Sequence, residues 1–198
     1  MDNPKNRSLT LWEKSNKTYD NYKIYLDKKT NKLQLTLIDL LYVSNFKGGN
    51  ATINEFENEI NEKLKCYSKI LVEINEEFKD KQLRDLSENE LRILNEKLLS
   101  IFELVKNPKT KIDGFSYSYL TALLHFYFPE LLPILDRRVL INLGIVNKEN
   151  RKQVDKYGQI KNIEIYYEEL IRKIKRISQR EKDKSLRQID KDLFIIKI

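Results

Sequence analysis

The sequence predicts a mainly α-helical fold: an orthogonal bundle of helices with, at most, a short β-hairpin near its amino end. Apolar residues recur at steps of three and four over long stretches, the period of one helix face. Two four-residue stretches have the form of capping boxes. Only five glycines and four prolines interrupt 198 residues, too few turn formers for a strand-rich sandwich. With 40% hydrophobic and 34% charged residues, the chain is apolar enough to bury a core and fits one domain. Residues 1–50 would form an N-terminal hairpin and helix segment, and residues 51–198 a helical core.

The possible hairpin lies in residues 19–37. Tyr22, Ile24 and Leu26 alternate with Lys23 and Tyr25, a polar turn follows, and Leu33, Leu35 and Leu37 alternate again, as in strands with one buried face. Residues 37–43 are dense in apolar side chains and suit a helix, broken by Phe46-Lys47-Gly48-Gly49-Asn50. Thr52-Ile53-Asn54-Glu55 has the capping-box pattern. Behind it Ile53, Phe56, Ile60, Leu64, Tyr67, Leu71, Ile74 and Phe78 form one stripe of a long helix. Cys66 lies on that helix and is expected in its core as a small apolar side chain.

Ser87-Glu88-Asn89-Glu90 is the second capping box, followed by Leu91, Leu94, Leu98, Ile101, Phe102 and Val105 and stopped at Asn107-Pro108. Residues 118–127 read as an apolar helix ending before Pro129, and residues 136–143 as a short one closing at Gly144. Residues 147–158 are a polar connector. Ile163, Tyr166, Leu170, Ile174 and Ile177 mark an amphipathic helix, and Ser185 can cap a last helix bearing Leu186, Ile189 and Leu193. Helices of unequal length with varied connectors argue against a coiled coil.

Several functional classes are disfavoured. A single cysteine closes no internal disulfide and supplies neither a zinc cage nor an iron–sulfur cluster, so no metal or cofactor is expected. Residues 1–10 are polar and lack the apolar segment of a signal peptide, and no apolar run spans a bilayer, so a cytoplasmic location without membrane association is expected. The net charge of +7 is uneven. Residues 1–104 carry 17 Lys/Arg against 18 Asp/Glu, and residues 105–198 carry 20 against 12. That asymmetry suits a polyanionic partner on the carboxy-terminal side, or a solubilising surface.

The chemistry concentrates in residues 112–139. Ile112-Asp113-Gly114-Phe115-Ser116-Tyr117-Ser118 places a tight glycine turn between two helices, the outline of a helix-hairpin-helix. In such a hairpin, small residues let backbone N–H groups approach a phosphate. Gly114 and Ser116 are the small residues, and Lys111, Arg137 and Arg138 are cations that could hold phosphates. Leu132-Pro133-Ile134-Leu135-Asp136 then brings a carboxylate to the start of a helix, 18 residues beyond Ser118.

These residues resemble the helix-hairpin-helix DNA glycosylase superfamily. In that family the hairpin reads Leu-Pro-Gly-Val-Gly-x-Lys/Ser, and an essential Asp follows 18 to 20 residues past the Lys/Ser. Ser118 takes the Lys/Ser position and Asp136 the Asp position. The Pro-Ile-Leu-Asp approach is similar to the adenine glycosylase branch, and residues 124–136 are similar to 8-oxoguanine-glycosylase-like bacterial proteins. Asp113 stands where the family has Pro, and Ser116 where it has its second Gly.

The resemblance implies a DNA-binding, monofunctional base N-glycosylase. The base would be flipped from the duplex into a pocket, with Phe115, Tyr117 and Tyr119 as the nearest aromatics to stack on it. Asp136 would stabilise the oxocarbenium-like sugar or activate a water. With Ser at 118 there is no lysine for a strand-nicking Schiff base. Read as residues alone, Asp136 is equally a helix N-cap, the aromatics are equally core, and His125 suits a packed, hydrogen-bonded role better than that of a base. A DNA-binding module without catalysis, or a protein-interaction module of the same fold, accounts for the same pattern.

Overall fold

The computed structural model describes residues 4–49 and 51–195, with side chains from residue 9 onward. Eight α-helices account for most of this chain: α1 (Pro4–Lys28), α2 (Leu37–Phe46), α3 (Glu57–Phe78), α4 (Glu88–Lys106), α5 (Tyr117–Tyr127), α6 (Arg137–Asn142), α7 (Tyr167–Arg180) and α8 (Leu186–Ile195). Among the described residues the only strand-like pairing is a single antiparallel bridge between Val154 and Ile160, in the polar connector.

The expected N-terminal β-hairpin is absent. Its first arm is the end of α1, and its second arm is a turn running into α2. Trp12, Tyr19 and Tyr22 are buried at helical spacing, whereas Ile24, which a strand would have pointed inward, is 54% exposed. The local alternation at residues 22–26 mimics a strand because Tyr25 and Leu26 pack only at the edge of the core. Burial on α2 and α8, which lie against α1, overrides the weak local pattern.

A buried polar knot joins α1, α2 and α5. The Asp39 carboxylate is fully buried and accepts from the Tyr22 hydroxyl at 2.8 Å, the Tyr127 hydroxyl at 3.2 Å, the Thr36 N–H at 2.7 Å and the Lys29 ammonium at 2.7 Å. Its charge is thus paired and its lone pairs are occupied, the condition for burying a carboxylate without a large desolvation penalty.

The capping box expected at Thr52 does not form. Helix α3 begins at Glu57 with Phe56 at its N-cap, and Phe56 is 77% exposed rather than on the buried stripe. Glu55 instead accepts from the Asp113 N–H at 2.7 Å and pairs with Lys63, so a tertiary contact takes the carboxylate from its local one. The stripe from Ile60 to Phe78 is buried as expected, but Cys66 faces solvent. It falls between Leu64 and Tyr67, off the apolar face.

The box at Ser87 does form. The Ser87 hydroxyl accepts from the Glu90 N–H at 3.2 Å, and the Glu90 carboxylate accepts from the Ser87 N–H at 2.8 Å. Replacing Ser87 by Ala is expected to cost about 1 kcal/mol, read as a fall of about 3 °C in melting temperature. An unchanged melting temperature would count against the cap.

Helix α5 is buried over residues 120–126, including Thr121 and His125, as befits a helix surrounded by the rest of the bundle. After it the chain turns at residues 128–131 and runs buried through Leu131, Leu132, Ile134 and Leu135 to the head of α6. Helices α6, α7 and α1 all pack on α8, which closes the bundle over this segment.

Candidate functional site

Asp136 is positioned by its neighbours in the chain before it does anything itself. The Ser118 hydroxyl donates to the Leu135 carbonyl at 2.9 Å, and the Leu135 N–H donates to the Thr121 hydroxyl at 3.0 Å. Two side chains one turn apart on α5 therefore clamp both backbone groups of the residue before Asp136. Upstream, His125 Nδ1–H donates to the Leu132 carbonyl at 2.8 Å and the Tyr167 hydroxyl to the Pro133 carbonyl at 2.8 Å. Burial holds the His125 imidazole down to about 4, so it is neutral near pH 7 and serves as a strut rather than a base. Thr121 and Tyr167 were not singled out in the sequence because each acts through one tertiary hydrogen bond.

The Asp136 carboxylate has two anchors. One oxygen accepts from the Arg138 N–H at 2.8 Å, the N-cap bond of α6; the other meets the Lys47 ammonium at 3.2 Å. Capping and outward presentation thus coexist, since the side chain remains 21% exposed. Burial pushes the carboxyl up, but the Lys47 charge, the Arg138 N–H and the Arg138 charge outweigh it and hold the group below the usual carboxylate range.

Asp136 opens on a cleft of about 180 Å³ between the head of α6, the end of α2, and helices α1 and α8. Trp12 comes from α1, Phe46 and Lys47 from the end of α2, and Arg187, Asp190 and Phe194 from α8. Aromatic side chains share the lining with two ion pairs, Lys47–Asp136 and Arg187–Asp190. Arg187 lies 3.7 Å from the centre of the Trp12 ring, and Arg138 lies 4.7 Å from that of Phe194 at the rim.

The other residues singled out in the sequence lie at varied distances from this cleft. Ser118 supports it from behind. Phe115, Tyr117 and Tyr119 are not among its lining residues. Phe115 is buried beside Tyr119, and Tyr117 packs on Phe102. The aromatic walls come instead from α1, the end of α2 and α8, far in sequence from the 112–139 stretch. Arg137 donates to the Gly158 carbonyl at 2.8 Å and so leans on the polar connector.

The 107–116 connection between α4 and α5 is engaged within the chain. Gly114 has φ +79°, and a Cβ there would stand 2.4 Å from the Thr52 carbonyl oxygen. The close backbone approach that glycine permits is to residues 51–56. The Asp113 N–H is taken by Glu55. The Lys63 ammonium holds the Lys111 carbonyl at 2.7 Å, while the Lys111 side chain is half-exposed 3.5 Å from Asp113. Ser116 is exposed at the N-cap of α5 and makes no side-chain capping bond.

A few cations of the basic second half are paired with first-half carboxylates. Arg172 and Lys175 of α7 both pair with Glu88 at the start of α4, at 2.9 and 3.3 Å. Among the described residues no group of three His, Cys, Asp or Glu side chains is arranged to hold a metal ion, and no helix is long and apolar enough to cross a membrane. No protein-family profile, curated protein or solved structure matches the chain.

Proposed function

We propose that this protein is a monofunctional DNA-base N-glycosylase, with Asp136 as the carboxylate beside the sugar. The observation that carries this reading is the Asp136 carboxylate itself: ionised, fixed by the Ser118 and Thr121 clamp on residue 135, and still open to an aromatic-walled cleft. The cleft is smaller than the roughly 300–1,000 Å³ of typical ligand sites. It suits one ring system with its sugar left at the mouth, as a flipped base requires. Trp12, Phe46 and Phe194 offer apolar walls for the ring. As the bond between C1′ and the base nitrogen breaks, positive charge grows on the sugar, and a fixed carboxylate stabilises it more strongly than water does. Ser118 offers no amine for a covalent intermediate, and the amine that lines the cleft, Lys47, is held in an ion pair with Asp136.

The test is incubation with duplexes carrying single damaged or modified bases, with abasic sites then revealed by alkali. Asp136-dependent abasic sites on at least one duplex are expected, and their absence across the panel removes the reading.

A second reading, a module of the same fold without catalysis, is favoured by one observation. Glu55 takes the Asp113 N–H, and the Thr52 backbone lies close against Gly114, on the turn that a DNA phosphate would meet. It predicts no base release. DNA affinity falling steeply with salt would mark a DNA-binding module, and salt-independent or absent affinity would leave protein interaction.

A further inference from the structure

Asp190 is a carboxyl group of the cleft to which the glycosylase reading gives no task. It lies on α8 with its side chain 13% exposed, and its carboxylate accepts from Arg187 Nη1 at 3.0 Å. Arg187 gives it one bond rather than a two-pronged clamp. The guanidinium lies among the rings of Trp12, Tyr19 and Phe46, and its Nε and Nη2 are buried without a hydrogen-bond partner. A like charge, Asp136, lines the same cleft and bears on Asp190. Lys47, the cation at the end of α2, is bound to Asp136 and reaches Asp190 only at longer range. From α1, Tyr19 and Asp20 bear on Arg187. Burial, opposed by Arg187 and reinforced by Asp136, lifts the Asp190 carboxyl to about 6.

We propose that Asp190 is the second carboxyl group of the site, lining the same cleft as Asp136 and delivering a proton to the departing base. Two carboxyl groups open on one cavity in unlike surroundings. One is capped and salt-bridged. The other is set against a guanidinium that faces away into aromatic rings. Such a pair divides the roles of acid and charged stabiliser. The step rests on the glycosylase reading. The Asp190 O–H proton passes to a basic ring nitrogen of the base, and the C1′–N bond breaks with its electron pair going to the base, which leaves neutral. Asp136 balances the positive sugar. Water adds its oxygen to C1′ and returns a proton to the Asp190 carboxylate, so the products are the free base and the abasic sugar.

Carboxyl-detected NMR of the full chain reads the two groups separately and needs no substrate. Asp190 is expected to titrate near 6, and its midpoint to fall in Asp136→Asn, where the like charge is gone. An Asp190 midpoint in the ordinary aspartate range, or one unmoved by Asp136→Asn, overturns the pairing. In base release, Asp190→Asn is expected to lower kcat for a neutral base about 10²-fold and to abolish the fall in kcat as pH rises through about 6. Asp190→Glu retains that fall. A base already cationic through N-alkylation needs no proton and is spared. Equal loss on neutral and cationic bases overturns proton delivery. If the wild-type protein releases no base, proton delivery falls with the function it serves, while the titrations still decide the pairing.

Discussion

Gly114→Ala is expected to lower stability by about 3–4 kcal/mol, a fall of about 10 °C in melting temperature. Two penalties combine. At φ +79° an L side chain meets its own following carbonyl, at about 1–2 kcal/mol. The new Cβ would also stand 2.4 Å from the Thr52 carbonyl oxygen, and that atom is backbone, so relief requires residues 51–56 to move. Their attachment is not slack, because Glu55 is tied to Asp113 and Lys63. Gly144 supplies the control. It also has positive φ, at +65°, but nothing lies within 4 Å of an added Cβ. Gly144→Ala should therefore cost only the conformational part, about 1–2 kcal/mol. Equal melting temperatures for the two variants would contradict the packing of the 107–116 connection on residues 51–56.

Acid stability should be nearly level in the wild-type protein and steep in Asp190→Asn. His125 is fully buried and neutral, with its value moved from 6.5 to about 4. The unfolded chain takes the proton first. This contribution is fully present above 6.5 and lost as pH falls toward 4, by about 3 kcal/mol. Asp190 works in the opposite sense. Its value rises from 3.8 to about 6, so the folded chain takes the proton first. That contribution is present below 3.8 and lost as pH rises through 6, again by about 3 kcal/mol. Between pH 4 and 6 the two offset. The depressed Asp136 carboxyl acts only below its ordinary value of 3.8. Removing the Asp190 carboxyl exposes the histidine alone, and denaturant titrations should show about 3 kcal/mol lost between pH 6.5 and 4. A level profile in Asp190→Asn would mean that His125 accepts a proton within the fold.

The parts of this molecule visible in its sequence are those whose cause is local. Ser87 and Glu90 cap α4 with groups three residues apart, and the buried stripe of α3 follows from its own period. The 18-residue interval between Ser118 and Asp136 is realised as a contact, Ser118 to Leu135. What stayed hidden is set by partners distant in the chain. Helix α1 shows only a thin apolar face, and its burial depends on α2 and α8. The Thr52–Glu55 pattern is a sound capping box until Asp113, 58 residues on, claims Glu55. Lys47, Arg187 and Asp190 join Asp136 in one cleft from 89, 51 and 54 residues away, and no local spacing announces such a meeting. The same holds for Trp12 and Phe194. The place of Asp136 at the head of a short helix was legible, and the cleft it lines was not.

The most direct test of the central claim is mass spectrometry of free bases released from DNA bearing oxidised, deaminated and alkylated bases, comparing the wild-type protein with Asp136→Asn. The claim predicts a free base released by the wild-type protein, with the rate lowered about 10²-fold in the variant and its melting profile near pH 7 still cooperative. A base released at the same rate by both proteins, or by neither, would contradict it.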